Sequence, residues 1–155
     1  MKEQAIYDLA MDVAIYAHNG QSQKGESGLP YIQHPIWVAR QLGAAGYSIR
    51  TQAVGLMHDV IEDSEFTRED LLRLGFGYEI LYPLGLLTKD PDLGYIQNVI
   101  RAGRNPRSRA VKRFDNLHNM DLARLGKDPS KKDIERVSKY GRSLTYLSTL
   151  GFPVI

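Results

Sequence analysis

A His-Asp dipeptide stands in the middle of an apolar stretch, Leu56-Met57-His58-Asp59-Val60-Ile61-Glu62-Asp63. A fold that buries this stretch must also satisfy an imidazole and a carboxylate, because each costs free energy when buried without a partner. A divalent cation would satisfy both at once. The run reads as helix, and residues four apart on a helix share a face. Glu62 then follows His58, and Asp63 follows Asp59, on one surface. Three carboxylates that close repel one another unless a cation or a raised pKa relieves them.

The rest of the chain offers helices to carry such a site. Ile6, Leu9, Val13 and Tyr16 recur at three- and four-residue steps, which predicts an amphipathic helix over 3–18. Residues 19–33 hold Gly20, Gly25, Gly28 and Pro30 and read as a loop. His34-Pro35 opens a second helix to about Leu42, with Pro at a favourable first position. Ser48 caps a third that runs to about Glu62 and carries the His-Asp pair. Thr67-Arg68-Glu69-Asp70 resembles a capping box for a short helix to Leu74. Further helices are expected over 78–87, with Pro83 near an end or a kink, and over Leu93 to Ala102. Asn105-Pro106 opens one to about Leu125, and the last runs from Lys131 to Leu147. No segment reads as a strand. The expectation is an all-α bundle of seven or eight helices, with residues 1–155 as one domain.

Composition narrows the function classes. There is no Cys, which excludes disulfides, Cys-zinc sites and thiol chemistry. A net charge of +2 is too small to argue for nucleic acid, and no basic stripe is interleaved with aromatics. No apolar run approaches a membrane span, and Glu3, Asp8 and Asp12 argue against a signal peptide. The chain reads as cytosolic.

Four candidate metal ligands stand out: His34, His58, Asp59 and Asp115. Asp115 lies among Val111, Phe114 and Leu117, where an unpaired carboxylate is costly. Two imidazoles and two carboxylates suit Mn, Fe, Zn or Co better than Ca. Each residue alone reads more simply as a hydrogen-bonded polar side chain. Their order along the chain, H…HD…D, favours the metal.

That order resembles the HD-domain metal-dependent phosphohydrolases, and in particular the hydrolase domain of RelA/SpoT-type alarmone enzymes and their small stand-alone relatives. The matching pieces are Ala17-His18-Asn19-Gly20-Gln21, Gly28-Leu29-Pro30-Tyr31-Ile32-Gln33-His34-Pro35, His58 to Ser64, Leu87-Thr88-Lys89, and Val111 to Met120. They come in family order over roughly residues 14–121. The resemblance implies an all-α HD fold, one bound Mn²⁺, and removal of the 3′-pyrophosphate of guanosine tetra- or pentaphosphate. It implies His34, His58, Asp59 and Asp115 as metal ligands, Glu62 and Asp63 as the catalytic acid pair, and Lys24 and Asn119 beside the nucleotide. With no synthetase domain following, it implies a hydrolase only. The family carries Arg where this chain has Gln23, Arg or Lys where it has Asn116, and a small residue where it has Phe114. Gln23 therefore predicts hydrolysis with a weaker or broader base preference. Two rivals follow: an HD phosphohydrolase for another nucleotide, such as a dinucleotide phosphate or a deoxynucleotide, and a non-catalytic nucleotide-binding module.

Helical phase sorts the cations before Asp115. Lys112, three residues earlier, shares its side and is the expected phosphate contact; Arg113, two earlier, points away. Asn119 lies on the Asp115 face. His118 borders the site as an orienting or packing residue, His18 reads as structural, and Tyr140, at helical spacing with Leu144 and Tyr146, reads as core with closure of the pocket as the alternative.

Overall fold

In a computed structural model that describes residues 1–23 and 28–155, the regular structure of the described residues is helical. Lys24 lies outside the described residues, so its expected nucleotide contact is not addressed. The elements are α1 (Glu3–Ala17), α2 (Gln33–Ala44), α3 (Ile49–Met57), α4 (Val60–Asp63), α5 (Arg68–Arg73), α6 (Tyr78–Leu87), α7 (Tyr95–Gly103), α8 (Pro106–Asn119), a 3-10 turn (Leu122–Leu125) and α9 (Lys131–Thr149). Among the described residues the only strand-like pairing is a single bridge between Ser22 and Pro30. No helix among them is long and apolar enough to cross a membrane.

The capping signals operate as the sequence predicts. Ser48 Oγ accepts from Thr51 N, Thr67 and Asp70 form a reciprocal capping box, and Asn105 Oδ1 accepts from Arg107 N at 2.9 Å. Two boundaries differ. The expected third helix breaks at His58-Asp59 into α3 and α4. The His58 ring bonds the Gly55 carbonyl at 2.7 Å, a local side-chain contact that competes with the helical ladder. The helix expected to reach Leu125 ends at Asn119, because Asp121 Oδ1 caps the following 3-10 turn through Ala123 N. Pro83 lies inside α6 as a buried core residue.

α3 is the central element, packed against α1, α2, α6 and α8. Its Ala53, Val54, Leu56 and Met57 are buried against Ala10, Val13 and Ala14 of α1 and Val38, Ala39 and Leu42 of α2. Gly55 permits the approach of α2. A Cβ there would lie 2.7 Å from Leu42 Cδ1 and 3.5 Å from the Ala39 Cα. The last residues strap the bundle: Ile155 O accepts from Ser48 N and Thr51 Oγ1, and Arg109 holds the carbonyls of Leu150 and Gly151.

Candidate metal centre

The close packing of α2 on α3 brings together side chains that are remote in sequence. His34, near the start of α2, and His58, at the end of α3, place their Nε2 atoms 3.2 Å apart. Asp115, on α8, brings Oδ1 to 3.2 Å from His34 Nε2 and 3.7 Å from His58 Nε2. All three residues are buried. Asp59 Oδ2 lies 3.0 Å from His58 Nε2 and 3.9 Å from His34 Nε2 and accepts a hydrogen bond from the Tyr31 hydroxyl. A proton shared between any two of these donors satisfies one pair only. A divalent cation would satisfy His34, His58 and Asp115 together, so those three donors fit a borderline metal ion, with Asp59 beside them.

The surrounding bonds hold the cluster in place. Asp115 Oδ2 receives Lys112 Nζ at 2.8 Å, and Oδ1 receives Asn119 Nδ2 at 2.7 Å. Burial pushes the Asp115 carboxyl up, but the Lys112 cation and the two imidazoles outweigh it and hold it well below the usual range. Burial likewise opposes the Asp59 charge, yet His58 holds that group at about 2. Burial would lower His58, and the charges of Asp59 and Asp115 carry it well above an ordinary imidazole. Lys112 is raised by Asp115 against its own burial.

The helical phase holds. Lys112 faces Asp115, whereas the Arg113 guanidinium lies over the rings of Phe114 and Phe152. The Lys112 ammonium is nevertheless committed to Asp115, so its first task is to hold that carboxylate. His118 Nδ1 lies 2.7 Å from His34 Nδ1, and its ring stacks on Trp37 at 4.2 Å. His18 Nδ1 is 2.8 Å from Gln21 Oε1 and the ring packs on Tyr31, a structural placement. Asn116 is fully buried, and among the described residues its amide finds no hydrogen-bond partner.

Two cavities open on the cluster, sharing Asp59, Glu62, Asp115 and Tyr140 in their walls. One, of about 440 Å³, carries Lys89, Lys112, Lys139, Tyr95 and Asn98. The other, of about 340 Å³, carries Gln23, Tyr31, Asn119, Arg124 and Arg136. A larger depression of about 840 Å³, beside Tyr16, Phe66 and Leu74, does not reach the imidazoles. Glu62 accepts from the Lys89 backbone N–H, and burial raises its pKa. Asp63 follows it, with its carbonyl bonded to Gln21 Nε2 at 2.7 Å. Tyr140 lines both cavities, where helical spacing favoured a core position. Gln23 is buried, and its Oε1 accepts from Arg124 Nη2 at 2.5 Å. Sequence reasoning missed Tyr31, Arg124 and Gly55 as parts of the site. Tyr31 lies in a recognisable motif, while Arg124 has no sequence signal.

No protein-family model matches the chain. Curated relatives do. Guanosine-3′,5′-bis(diphosphate) 3′-pyrophosphohydrolase MESH1 of Mus musculus is 34% identical over 139 residues, covering 84% of this chain and 76% of that protein. The guanosine-3′,5′-bis(diphosphate) 3′-pyrophosphohydrolase of Borreliella burgdorferi is 30% identical, covering 92% of this chain and 24% of its own length. GTP pyrophosphokinase of Streptomyces coelicolor is 35% identical over 74% of this chain, which spans only 14% of that protein. A solved structure reported as a metazoan ortholog of SpoT that hydrolyzes ppGpp superposes with a TM-score of 0.78 at 22% identity, over 96% of this chain and 87% of the other, and shares the fold. With the His34, His58 and Asp115 cluster at its centre, the chain belongs to the HD-type guanosine-3′,5′-bis(diphosphate) 3′-pyrophosphohydrolase family.

Proposed function

We propose that this chain removes the 3′-pyrophosphate of guanosine tetra- or pentaphosphate with one divalent cation, Mn²⁺, held by His34, His58, Asp59 and Asp115. The observation that carries the reading is the buried His34, His58 and Asp115 cluster at the meeting point of two polar cavities. When bound, the cation supplies Lewis acidity to a phosphoryl oxygen and acidifies the attacking water. Glu62 and Asp63 stand beside the cluster as proton acceptors, and burial moves Glu62 toward neutral pH, the direction a general base requires. Water adds to the phosphorus, its proton passes to the acid pair, and the 3′-oxygen leaves and is reprotonated. The products are pyrophosphate and guanosine di- or triphosphate.

The two cavities suit the two ends of such a substrate. Lys89 and Lys139 offer cations to phosphate groups, with Lys112 behind them on Asp115. Asn119 offers its amide to the ribose, and Gln23 and Arg124 offer polar groups to the base. A nucleotide substrate, the lack of Cys and the absence of a membrane-crossing helix among the described residues support a cytosolic setting.

The test is incubation of purified protein with Mn²⁺ and a panel of guanosine and adenosine nucleotides, with products identified. Pyrophosphate with guanosine di- or triphosphate is expected, and its absence from folded, metal-loaded protein sinks the reading. Gln23, uncharged where the family has Arg, favours a second reading in which another nucleotide is preferred, and the adenosine arm of the panel decides it.

A further inference from the structure

An imidazole that ligates through Nε2 must present a lone pair there, so its single proton has to sit on Nδ1. The structure enforces this for His58, whose Nδ1 lies 2.7 Å from the Gly55 carbonyl oxygen. A carbonyl has no proton to give, so Nδ1 must be the donor. His34 has no such carbonyl. Its Nδ1 faces another ring nitrogen, His118 Nδ1, at 2.7 Å. The two rings are inclined by only 8° with centroids 5.0 Å apart. The short nitrogen contact accounts for most of that separation, so the bond runs close to the ring planes and not between stacked faces.

Only one of the two nitrogens can hold the shared proton. If His118 held it, a neutral His34 would carry its own on Nε2, which points at His58 Nε2 and Asp115 Oδ1, each 3.2 Å away. The proton would then stand where the lone pair is needed. We infer that His118 is a positioning residue whose Nδ1 lone pair accepts from His34 Nδ1–H and so turns the His34 Nε2 lone pair into the cluster. This rests on the metal reading of that cluster. The surroundings of His118 fit an acceptor. Its ring is clamped face to face on Trp37 at 11°. Arg124 Nη1 donates to the His118 backbone carbonyl at 2.7 Å and so fixes the backbone from which the ring projects. Histidine ligands usually lean on a carboxylate or a carbonyl; here the role falls to a second imidazole stacked on a tryptophan.

The experiment is nitrogen-15 spectroscopy of histidine-labelled protein loaded with Zn²⁺, which is diamagnetic. The shared proton should show its one-bond coupling to His34 Nδ1 and a through-hydrogen-bond coupling to His118 Nδ1. A proton bonded to His118 Nδ1 overturns the inference. Variants give an independent reading. His118→Phe keeps a flat ring against Trp37 without an acceptor and should weaken Zn²⁺ affinity roughly 10- to 100-fold. His118→Asn, which restores an acceptor oxygen, should recover most of that loss. Equal affinities for the wild-type protein and both variants also overturn it. A wild-type protein that binds no Zn²⁺ sinks the metal reading, and the location of the shared proton is then read in the metal-free protein.

Discussion

Arg124 Nη2 donates a hydrogen bond to Gln23 Oε1, joining the loop before α2 to the 3-10 turn after α8 across 101 residues of sequence. The second terminal nitrogen of Arg124, Nη1, donates to the His118 carbonyl and Asn119 Oδ1. An uncharged residue at 23 is therefore what lets a planar cation from elsewhere in the chain enter the same wall.

Arg124→Ala should raise KM for guanosine tetraphosphate by about 2- to 30-fold, the range for losing one cation–π contact, with less effect on kcat. Gln23→Arg would set two guanidinium groups against each other. It should improve guanosine binding only in an Arg124→Ala background. Steady-state kinetics on the two single variants and the double variant measure this. Additive effects on KM would mean that the two positions do not share a site.

The charge arrangement fixes a pH dependence. Metal-free His58 is held above its ordinary value, so the stability it contributes is complete below about 6.5 and is lost as pH rises through the folded value. Asp59 and Asp115 are depressed, so their contribution is complete above about 4 and is lost as pH falls, for Asp59 toward about 2. Urea midpoints of metal-free protein should peak between about pH 4 and 6.5. Because His58 must give up its proton to ligate, Mn²⁺ should bind more tightly as pH rises and should remove the alkaline decline. Calorimetry in buffers of different ionisation enthalpy checks the proton release. No release at pH 6 would show that His58 is neutral before the metal arrives.

Lys112→Ala leaves Asp115 buried without its cation. It should cost about 1.5–3 kcal/mol, the scale of a hydrogen bond to a charged group, and should also weaken metal binding. Arg113→Ala removes only packing on Phe114 and Phe152 and should cost about 1 kcal/mol or less, with metal affinity intact. Thermal melts and Zn²⁺ titrations of the pair test the assignment. A larger effect on metal at Arg113 would reverse it.

Gly55→Ala drives a methyl group into Leu42 at the α2–α3 contact. Overpacking of this kind costs about 1–3 kcal/mol. The same residue supplies the carbonyl that orients His58, so metal affinity should fall along with the melting temperature. Unchanged values for both would mean that Leu42 yields freely.

Sequence and structure agree where the physics is local. Ser48, Thr67 and Asn105 cap helices through bonds to residues two or three further on, which a linear reading can see. The Lys112 and Arg113 phases follow from helix geometry alone. The break at His58-Asp59 was not legible, because an apolar stripe continues through it and only the ring's turn toward Gly55 O interrupts the helix. Nor was the end of α8, which depends on Asp121 capping the next turn. The pairing of Gln23 with Arg124 depends on tertiary packing, to which no spacing rule applies.

The Nε2 and Oδ1 atoms that converge on the centre belong to residues 24 and 81 positions apart, on three different helices. An unfolded chain therefore offers no preformed chelate, and closing loops of that length carries an entropic cost. A cation held there would be captured late in folding, after α2, α3 and α8 have docked. It would then shift the folding equilibrium by mass action, favouring the native state by RT ln(1 + [metal]/Kd). With the proposed metal, its supply would act on the lifetime of the protein as well as on its chemistry, since a metal-starved chain would unfold more often and meet proteases in that state.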